Sequence, residues 1–150
     1  MAKREIPLRD RALAMLARRE HTRAEMTRKL SPHCESPEQI EQLLDALAAR
    51  GWLSETRFAE SRAHVLAHKF GSRKIEYDLK SRGVSNEVVE RAVEQALMQE
   101  LDNCRSAWAK KFGALPQDAA ERGRQMRFLA GRGFSAEAVR QVLKTGVVDE

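Results

Sequence analysis

The sequence predicts an all-α protein built from three tandem three-helix-bundle repeats in an elongated array, either straight or curved. Helical stop and start signals recur, since Arg82-Gly83-Val84-Ser85-Asn86-Glu87 returns fifty residues later as Arg132-Gly133-Phe134-Ser135-Ala136-Glu137. Lys69-Phe70-Gly71 likewise returns as Lys111-Phe112-Gly113. Matching signals in matching order indicate one supersecondary unit copied along the chain. Aromatic residues make up only 5% of the chain, and glycines and prolines number only 8 and 4, which favours helices over a β-sandwich.

The first repeat is predicted at residues 7–53. Its first helix should run over residues 7–19 and bury an inner stripe of Leu13, Leu16 and Ala17. A capping box at residues 22–25 starts the second helix, because its threonine oxygen can accept a hydrogen bond from the amide of the glutamate. A serine, a proline and a glutamine within residues 36–39 are typical of the start of a third helix.

The second repeat is predicted at residues 54–98 and the third at residues 99–146. In both, a long helix and then a short helix end at glycines, namely Gly71 and Gly83, then Gly113 and Gly133. Serines are expected to cap the helices that follow, at Ser72, Ser85 and Ser135. The short helix of the third repeat should bury Met126, Leu129 and Ala130.

Each repeat is small for an independent fold. Below roughly 60 residues the apolar burial per residue is marginal, so neighbouring repeats are expected to share apolar surface. One compact globule of nine helices is the alternative arrangement. The matched spacing of the glycine stops and the serine starts favours the row.

The chain is moderately basic, with a net charge of +5 and an isoelectric point of about 9.6. Cations recur on the middle helix of each predicted repeat: Arg23, Arg28 and Lys29, then Arg73, Lys74, Lys80 and Arg82, then Arg122, Arg124, Arg127 and Arg132. A single run of charge is usually a solvated face. Because the run recurs at one structural position, we predict a basic stripe that faces an acidic protein surface or a nucleic acid.

The sequence contains no motif typical of catalysis or cofactor binding. It lacks the Gly-x-x-x-x-Gly-Lys-Ser/Thr phosphate loop, and Gly131-Arg132-Gly133 lacks the third glycine and preceding strand of a dinucleotide site. His64 and His68 have metal-ligand spacing but no evident third ligand, and Cys34 has no evident general base. We therefore expect no enzyme activity, no metal and no cofactor.

The remaining features indicate a cytoplasmic monomer without a membrane segment. Cys34 and Cys104 fit no ligand pattern, so reduced thiols are expected. No apolar run approaches the ~20 residues of a membrane span. Trp52 and Trp108 could stack on bases. However, Trp52 follows a helix stop and Trp108 lies on an inner stripe, and both positions favour core packing.

Four segments resemble the RecX family of bacterial proteins. Residues 14–30 (AMLARREHTRAEMTRKL) resemble its opening motif, and residues 50–59 (RGWLSETRFA) resemble its second hallmark. Residues 71–84 (GSRKIEYDLKSRGV) and 126–134 (MRFLAGRGF) are similar to its third hallmark and its C-terminal signature. The resemblance covers essentially the whole chain, with the motifs in family order.

The resemblance implies three tandem three-helix repeats and a non-catalytic role as a negative modulator of RecA, the recombinase that coats single-stranded DNA. It implies binding to the RecA nucleoprotein filament and inhibition of filament extension, ATP hydrolysis and strand exchange. One departure is that Ser54 and Glu55 stand where the family usually has two aspartates. If that pair caps a helix, Ser54 preserves its role.

The candidate contacts with RecA or with DNA are Arg57, Arg73, Lys74, Lys80, Arg82, Arg124 and Arg127. Arg57 lies near a helix start, and an internal salt bridge between repeats one and two is an equal alternative for it. Our hypothesis is that the row of bundles lies along a groove of the filament and bridges adjacent protomers. The rival is a helical DNA-binding module acting on nucleic acid directly through helix-turn-helix units. A scaffold for another acidic protein is a third alternative.

Overall fold

The computed structural model describes residues 5–146, and within that range it contains only helices and their connections. The α-helices are α1 (Leu8–Arg18), α2 (Arg23–Leu30), α3 (Pro37–Ala49), α4 (Glu55–Leu66), α5 (Ser72–Ser81), α6 (Asn86–Met98), α7 (Glu100–Lys111), α8 (Ala119–Gly131) and α9 (Ala136–Thr145), with a short 3₁₀ turn at Ser31–His33. The helices group in threes along the chain. The predicted all-α fold of three tandem three-helix repeats is therefore confirmed.

Local capping explains where several helices begin. The hydroxyl of Thr22 accepts a hydrogen bond from the amide of Glu25 at 3.0 Å, and the hydroxyl of Ser54 accepts from the amide of Arg57 at 3.2 Å. Serine hydroxyls cap α3 and α9 in the same way. Ser54 therefore fills the capping role expected of it, because its oxygen satisfies an amide that has no partner inside the helix.

The predicted serine cap at Ser72 is wrong, and Ser85 stands at the N-cap of α6 without the expected hydrogen bond. Ser72 is the first residue of α5 and does not cap it, while Ser85 precedes α6 without a capping hydrogen bond from its side chain. A glutamate from another helix binds the amide in each case, since Glu100 accepts from Ser72 at 2.9 Å and Glu55 accepts from Ser85 at 3.3 Å. At α5 a contact between helices has replaced the local cap, whereas at α6 Glu55 binds the amide of the N-cap residue itself.

Each repeat has an apolar core of its own. The buried sets are Ala12, Met26, Leu30, Ile40, Leu44, Leu47 and Leu53, then Phe58, Ala59, Ile75, Leu79, Val84, Val89 and Ala92, then Cys104, Trp108, Leu129, Phe134, Ala138, Val139, Val142 and Leu143. On α1 the buried alanine is Ala12, whereas the predicted Ala17 is exposed. The expectation that neighbouring repeats share apolar surface is wrong, because the three clusters are separate and polar contacts between backbones and side chains join the repeats.

The inner face of α8 also differs from the prediction. Met126 and Ala130 are exposed, and Gln125 is buried instead. The amide oxygen of Gln125 accepts from the indole N–H of Trp108 at 2.8 Å, and its NH₂ group donates to the carbonyl of Ala114 at 3.1 Å. A buried polar group needs such partners, so hydrogen bonding sets this face rather than apolar periodicity.

The two tryptophans have different environments. Trp108 is 1% exposed, which confirms its predicted place in the core. Trp52 is 42% exposed, so the prediction that it packs in a core is wrong. The guanidinium groups of Arg9 and Arg50 lie 5.6 and 5.3 Å from its ring centre, and cation–π attraction holds the ring at the surface.

The surface area agrees with a row of bundles rather than one globule. The chain exposes 10270 Å², whereas a compact protein of its 17.0 kDa exposes roughly 7,700 Å². Within residues 5–146, none of the helices is both long enough and apolar enough to span a bilayer.

Candidate docking surface and repeat joints

The second and third repeats meet end to end through their middle helices. The amide of Gly71, just before α5, donates to the carbonyl of Arg132 at the end of α8 at 2.9 Å. One residue into the helix, the amide of Arg73 donates to the carbonyl of Gly133 at 3.2 Å. We call this contact the 2–3 joint. It satisfies amides at a helix N-terminus with carbonyls at a helix C-terminus, groups that otherwise lack partners.

The backbones approach too closely at the 2–3 joint for any side chain at the first glycine. A Cβ atom built on Gly71 would lie 2.5 Å from the carbonyl oxygen of Gly133. Gly133 has a φ of +90°, a conformation that glycine adopts without the steric cost of other residues. The geometry of the joint therefore requires glycine at both positions.

A buried carboxylate completes the same joint. Glu100, the first residue of α7, is 4% exposed. One of its oxygens accepts from both the amide and the hydroxyl of Ser72, each at 2.9 Å. A negative charge at a helix N-terminus is favoured by the helix dipole, so a residue of repeat three caps the middle helix of repeat two.

The first and second repeats meet in a related way at what we call the 1–2 joint. The hydroxyl of Thr22, which caps α2, donates to the carbonyl of Arg82 at the end of α5 at 3.1 Å. Gly83 follows with a φ of +79°, and a Cβ there would lie 2.8 Å from the side chain of Ala24. The C-terminus of α5 thus touches the N-terminus of α2.

The two joints order the three middle helices as α8, α5 and α2, each ending where the next begins. We call this series the basic spine. It explains why the Arg-Gly signal occurs after α5 and α8, since each copy supplies a joint. The 3₁₀ turn at Ser31–His33 follows α2 instead.

Arg57 joins the first two repeats internally. Its Nε donates to a carboxylate oxygen of Glu20 at 2.9 Å, and its Nη2 donates to the carbonyl of Gly51 at 2.6 Å. These contacts link the start of α4 to the end of α1 and the turn after α3. They match the internal salt bridge that the sequence left open as the alternative for this residue.

Arg82 and Lys80 are also held by carboxylates of their own helix. Asp78 accepts from Arg82 Nε at 3.1 Å, and it also accepts two bonds, at 2.9 and 3.0 Å, from the guanidinium of Arg62 on α4. Lys80 lies 2.8 Å from an oxygen of Glu76, one turn away. The Arg62–Asp78 pair fixes α5 against α4, and all of these pairs reduce the free charge on this side of α5.

The Asp78 network shifts the acid–base equilibria of its members. The hydrogen bonds from Arg62 hold the pKa of Asp78 below its usual 3.8 despite partial burial, and the positive charges of Arg62 and Arg82 add to the effect. The pKa of Arg62 rises in return, chiefly through its hydrogen bonds to Asp78. The network is therefore fully charged at neutral pH.

A second ionisable cluster lies beside the 1–2 joint. Burial raises the pKa of Glu25, but the hydrogen bond and charge of Arg19, 2.7 Å away, more than offset it, so the pKa lies below 4.5. Burial lowers the pKa of His21, which is 3% exposed, below 6.5. The ring of His21 stays neutral at pH 7 and its Nδ1 lies 2.9 Å from the carbonyl of Arg19.

The other four predicted contacts are cations that pair with no carboxylate within residues 5–146. Arg73, Lys74, Arg124 and Arg127 are all exposed on α5 and α8. The structure therefore divides the seven candidates into three that pair with carboxylates and four that do not. All but Arg57 lie along the basic spine.

Sequence reasoning missed a second set of cations, which joins Arg132 of the predicted basic stripe in a pocket at the 2–3 joint. The pocket measures about 200 Å³ and is lined by His68, Lys69, Ala107, Lys110, Lys111, Phe128 and Arg132. A signal was available, because Lys69 and Lys111 belong to the two copies of Lys-Phe-Gly. Those copies were interpreted only as helix stops, yet the fold brings their lysines to one place.

The side chains that could do chemistry are dispersed. No three His, Cys, Asp or Glu side chains of the described range are close enough together to bind a metal ion. The rings of His64 and His68 meet edge to face with 5.5 Å between centres. Burial raises the pKa of Cys104 to about 12, which keeps that thiol protonated at neutral pH. Exposed cations lie instead on α5 and α8 and in the pocket at the 2–3 joint.

Comparison with known proteins gives consistent results over the whole chain. The models of the first, second and third three-helix domains of RecX match residues 9–47, 54–93 and 99–143. The Regulatory protein RecX of Leptothrix cholodnii is 46% identical over 140 residues, which cover 93% of this chain and 89% of the relative. That of Chromobacterium violaceum is 44% identical over 143 residues, covering 95% and 93%.

A solved structure shares the fold at low sequence identity. The crystal structure of RecX from Lactobacillus salivarius matches with a TM-score of 0.79 at 17% identity, over 91% of this chain and 92% of that one. The repeat architecture, the three matching domain models and the close relatives agree, and the chain belongs to the RecX family of regulatory proteins.

Proposed function

We propose that this protein is a negative modulator of RecA that binds the RecA–DNA filament and inhibits its extension, its ATP hydrolysis and strand exchange. Membership of a family of regulatory proteins supports the regulatory role, and RecA is the partner that the sequence resemblance implies. The single observation on this chain that carries the proposal is the basic spine, since its end-to-end joints place three basic helices in one row.

The length of the spine suits a partner with repeating subunits. A row of bundles can contact more than one protomer of a filament, and contacts with adjacent protomers act together with a high effective concentration. A filament bridged in this way resists the rearrangements that extension and ATP hydrolysis require. The positive charge of the spine is complementary to acidic protein surface or to the DNA backbone within the filament.

The four free cations are the residues we propose as contacts. Within the described part of the chain, no carboxylate pairs with Arg73, Lys74, Arg124 or Arg127. Binding to a partner therefore breaks no internal ion pair of these residues. A few residues usually dominate the energy of an interface, and arginine is common among them. Arg57 contributes mainly by keeping repeats one and two in position, whereas Lys80 and Arg82 pair with carboxylates of their own helix.

The experiment measures inhibition of DNA-dependent RecA ATPase by two charge-reversal variants, Arg73→Glu/Lys74→Glu and Arg124→Glu/Arg127→Glu. We expect each to need at least about tenfold more protein for half-inhibition, since interface hot spots contribute more than about 1.4 kcal/mol. The matched control is Arg91→Glu/Arg140→Glu, which reverses two exposed arginines on α6 and α9. Equal inhibition by all three folded variants would contradict the proposal.

Direct DNA binding is the competing function, and the same proteins separate the two. A modulator of RecA binds RecA-coated strands more tightly than naked strands of equal length. A DNA-binding module binds both alike, with an affinity that falls steeply as salt rises.

A further inference from the structure

The pocket at the 2–3 joint has a positive charge that no carboxylate in its lining neutralises. Five of its seven lining residues are basic or imidazole side chains, and the lining includes no carboxylate. Lys69, Lys110, Lys111 and Arg132 make no ion pair with any described residue. The buried Glu100 of the same joint is directed at Ser72 instead. Mutual repulsion among these cations is a cost that a bound anion would relieve.

Aromatic rings hold the cations in place. The guanidinium of Arg132 lies 4.9 Å from the ring centre of Phe128 and 5.4 Å from that of Phe70. Lys111 Nζ lies 5.4 Å from the ring centre of Phe128, and Lys74 Nζ lies 5.8 Å from that of Phe70. A ring face attracts a cation without cancelling its charge. The result is a ladder of alternating cations and rings that crosses from repeat two to repeat three.

We propose that this pocket binds the phosphodiester backbone of single-stranded nucleic acid. Lysine ammonium groups donate to phosphate oxygens from several directions, and Arg132 can donate two parallel bonds to one phosphate. The inference deepens the proposed function by assigning the nucleic-acid contact of the docked protein to the 2–3 joint. Only the identity of the strand that the pocket binds in the cell rests on the proposed function.

The dimensions of the pocket favour a flexible strand. The volume of about 200 Å³ is lined by residues of two repeats, and Lys69 and Lys110 in that lining are exposed. A single strand can bend its backbone into a recess, whereas a duplex is stiff over roughly 150 base pairs and presents its phosphates on a convex surface. A positive groove with aromatic rings is also typical of proteins that bind single strands without reading sequence.

Binding at this place would stiffen the spine. Lys69 belongs to repeat two, whereas Lys110 and Lys111 belong to repeat three, so one phosphate would connect both sides of the joint. The neighbouring backbone contact between Gly71 and Arg132 would then open less often. A protein bound to DNA in this way would therefore keep its spine in one shape.

The experiment measures binding of a fluorescein-labelled oligo-dT strand to the full chain by anisotropy, without RecA, over a range of salt concentrations. We compare the wild type with Lys69→Gln/Lys111→Gln and with the matched control Arg91→Gln/Lys144→Gln, which neutralises two exposed cations away from the pocket and from the basic spine. The pocket variant should bind more weakly. Its slope of log affinity against log salt should be shallower by about 1.4, since each contact with a single strand contributes about 0.7.

Two further measurements make the result decisive. Lysine acetylation followed by mass spectrometry should show that the strand protects Lys69, Lys110 and Lys111 but leaves Lys144 reactive. Equal losses of affinity in both variants, or tighter binding of a duplex than of the single strand, would overturn the proposal. So would binding of a poly-glutamate peptide but not of oligo-dT, which would assign the pocket to an acidic protein. RecA inhibition is not measured here, so failure of this inference leaves the proposed function standing.

Discussion

One carboxylate oxygen of Glu100 accepts both the amide and the hydroxyl of Ser72, at 2.9 Å each, although the two residues belong to different repeats. The contact is buried, with 4% and 6% of the residues exposed. It gives α5 a cap that its own sequence does not supply, because Gly71 stands at the N-cap position. The rigidity of the spine at this point depends on a residue outside the spine.

Replacing that carboxylate should destabilise the protein. Glu100→Ala would leave two buried donors of Ser72 unpaired, and we expect a loss of about 2 kcal/mol in the free energy of unfolding, measured by urea denaturation. The control is Glu137→Ala, which removes an exposed glutamate from the first turn of α9 and should cost less than about 0.5 kcal/mol. Similar losses in the two variants would mean that Glu100 acts only through the helix dipole of its own α7.

A methyl group at Gly71 should disrupt the 2–3 joint. In Gly71→Ala the new Cβ would lie 2.5 Å from the carbonyl oxygen of Gly133, and neither backbone can move without breaking its hydrogen bonds. We expect a less stable protein, by more than about 2 kcal/mol, and a larger radius of gyration in small-angle X-ray scattering, because the repeats separate.

The control for Gly71 is another glycine of the same region. Gly131 ends α8, and a Cβ there meets nothing within 4 Å. Gly131→Ala should be neutral or should stabilise the helix by up to about 1 kcal/mol. If both substitutions behave alike, the close approach at Gly71 does not govern the arrangement of the repeats.

The sequence predicts the number and order of the helices because the signals for them are local. A glycine that ends a helix, such as Gly83, and a hydroxyl that caps one, such as Thr22, act within a few residues. Those signals also recur with the repeat, so a helix boundary predicted in one repeat supports the equivalent boundary in the next.

The joints are not predictable in the same way because they depend on contacts distant in the sequence. Thr22 and Arg82 are sixty residues apart, and nothing near either position signals the hydrogen bond between them. The same is true of the candidate site. The cations of α5 and α8 are evident in the sequence, but which ones are neutralised depends on carboxylates such as Asp78 and Glu20, whose orientation only the fold determines.

Acid should weaken the structure through the groups at and near the 1–2 joint. The folded pKa of His21 lies below its usual 6.5, so its contribution to stability is complete above pH 6.5 and is lost as the pH falls through the lowered value. Glu25 and Asp78 have folded pKa values below 4.5 and 3.8, so their contributions are complete above those pH values and are lost at lower pH. We expect the free energy of unfolding to fall in two stages between pH 7 and pH 2.

Two substitutions separate these stages because each removes one titrating group. Asn keeps the shape of Asp78 but removes the charge that binds Arg62 and Arg82, so Asp78→Asn should cost about 1 kcal/mol at pH 7 and flatten the curve at the acid end. His21→Gln should flatten only the part just below pH 6.5, since the glutamine amide can still donate to the carbonyl of Arg19 but cannot become charged. Urea titrations at a series of pH values provide the measurement, and an unchanged upper stage in His21→Gln would mean that another group controls it.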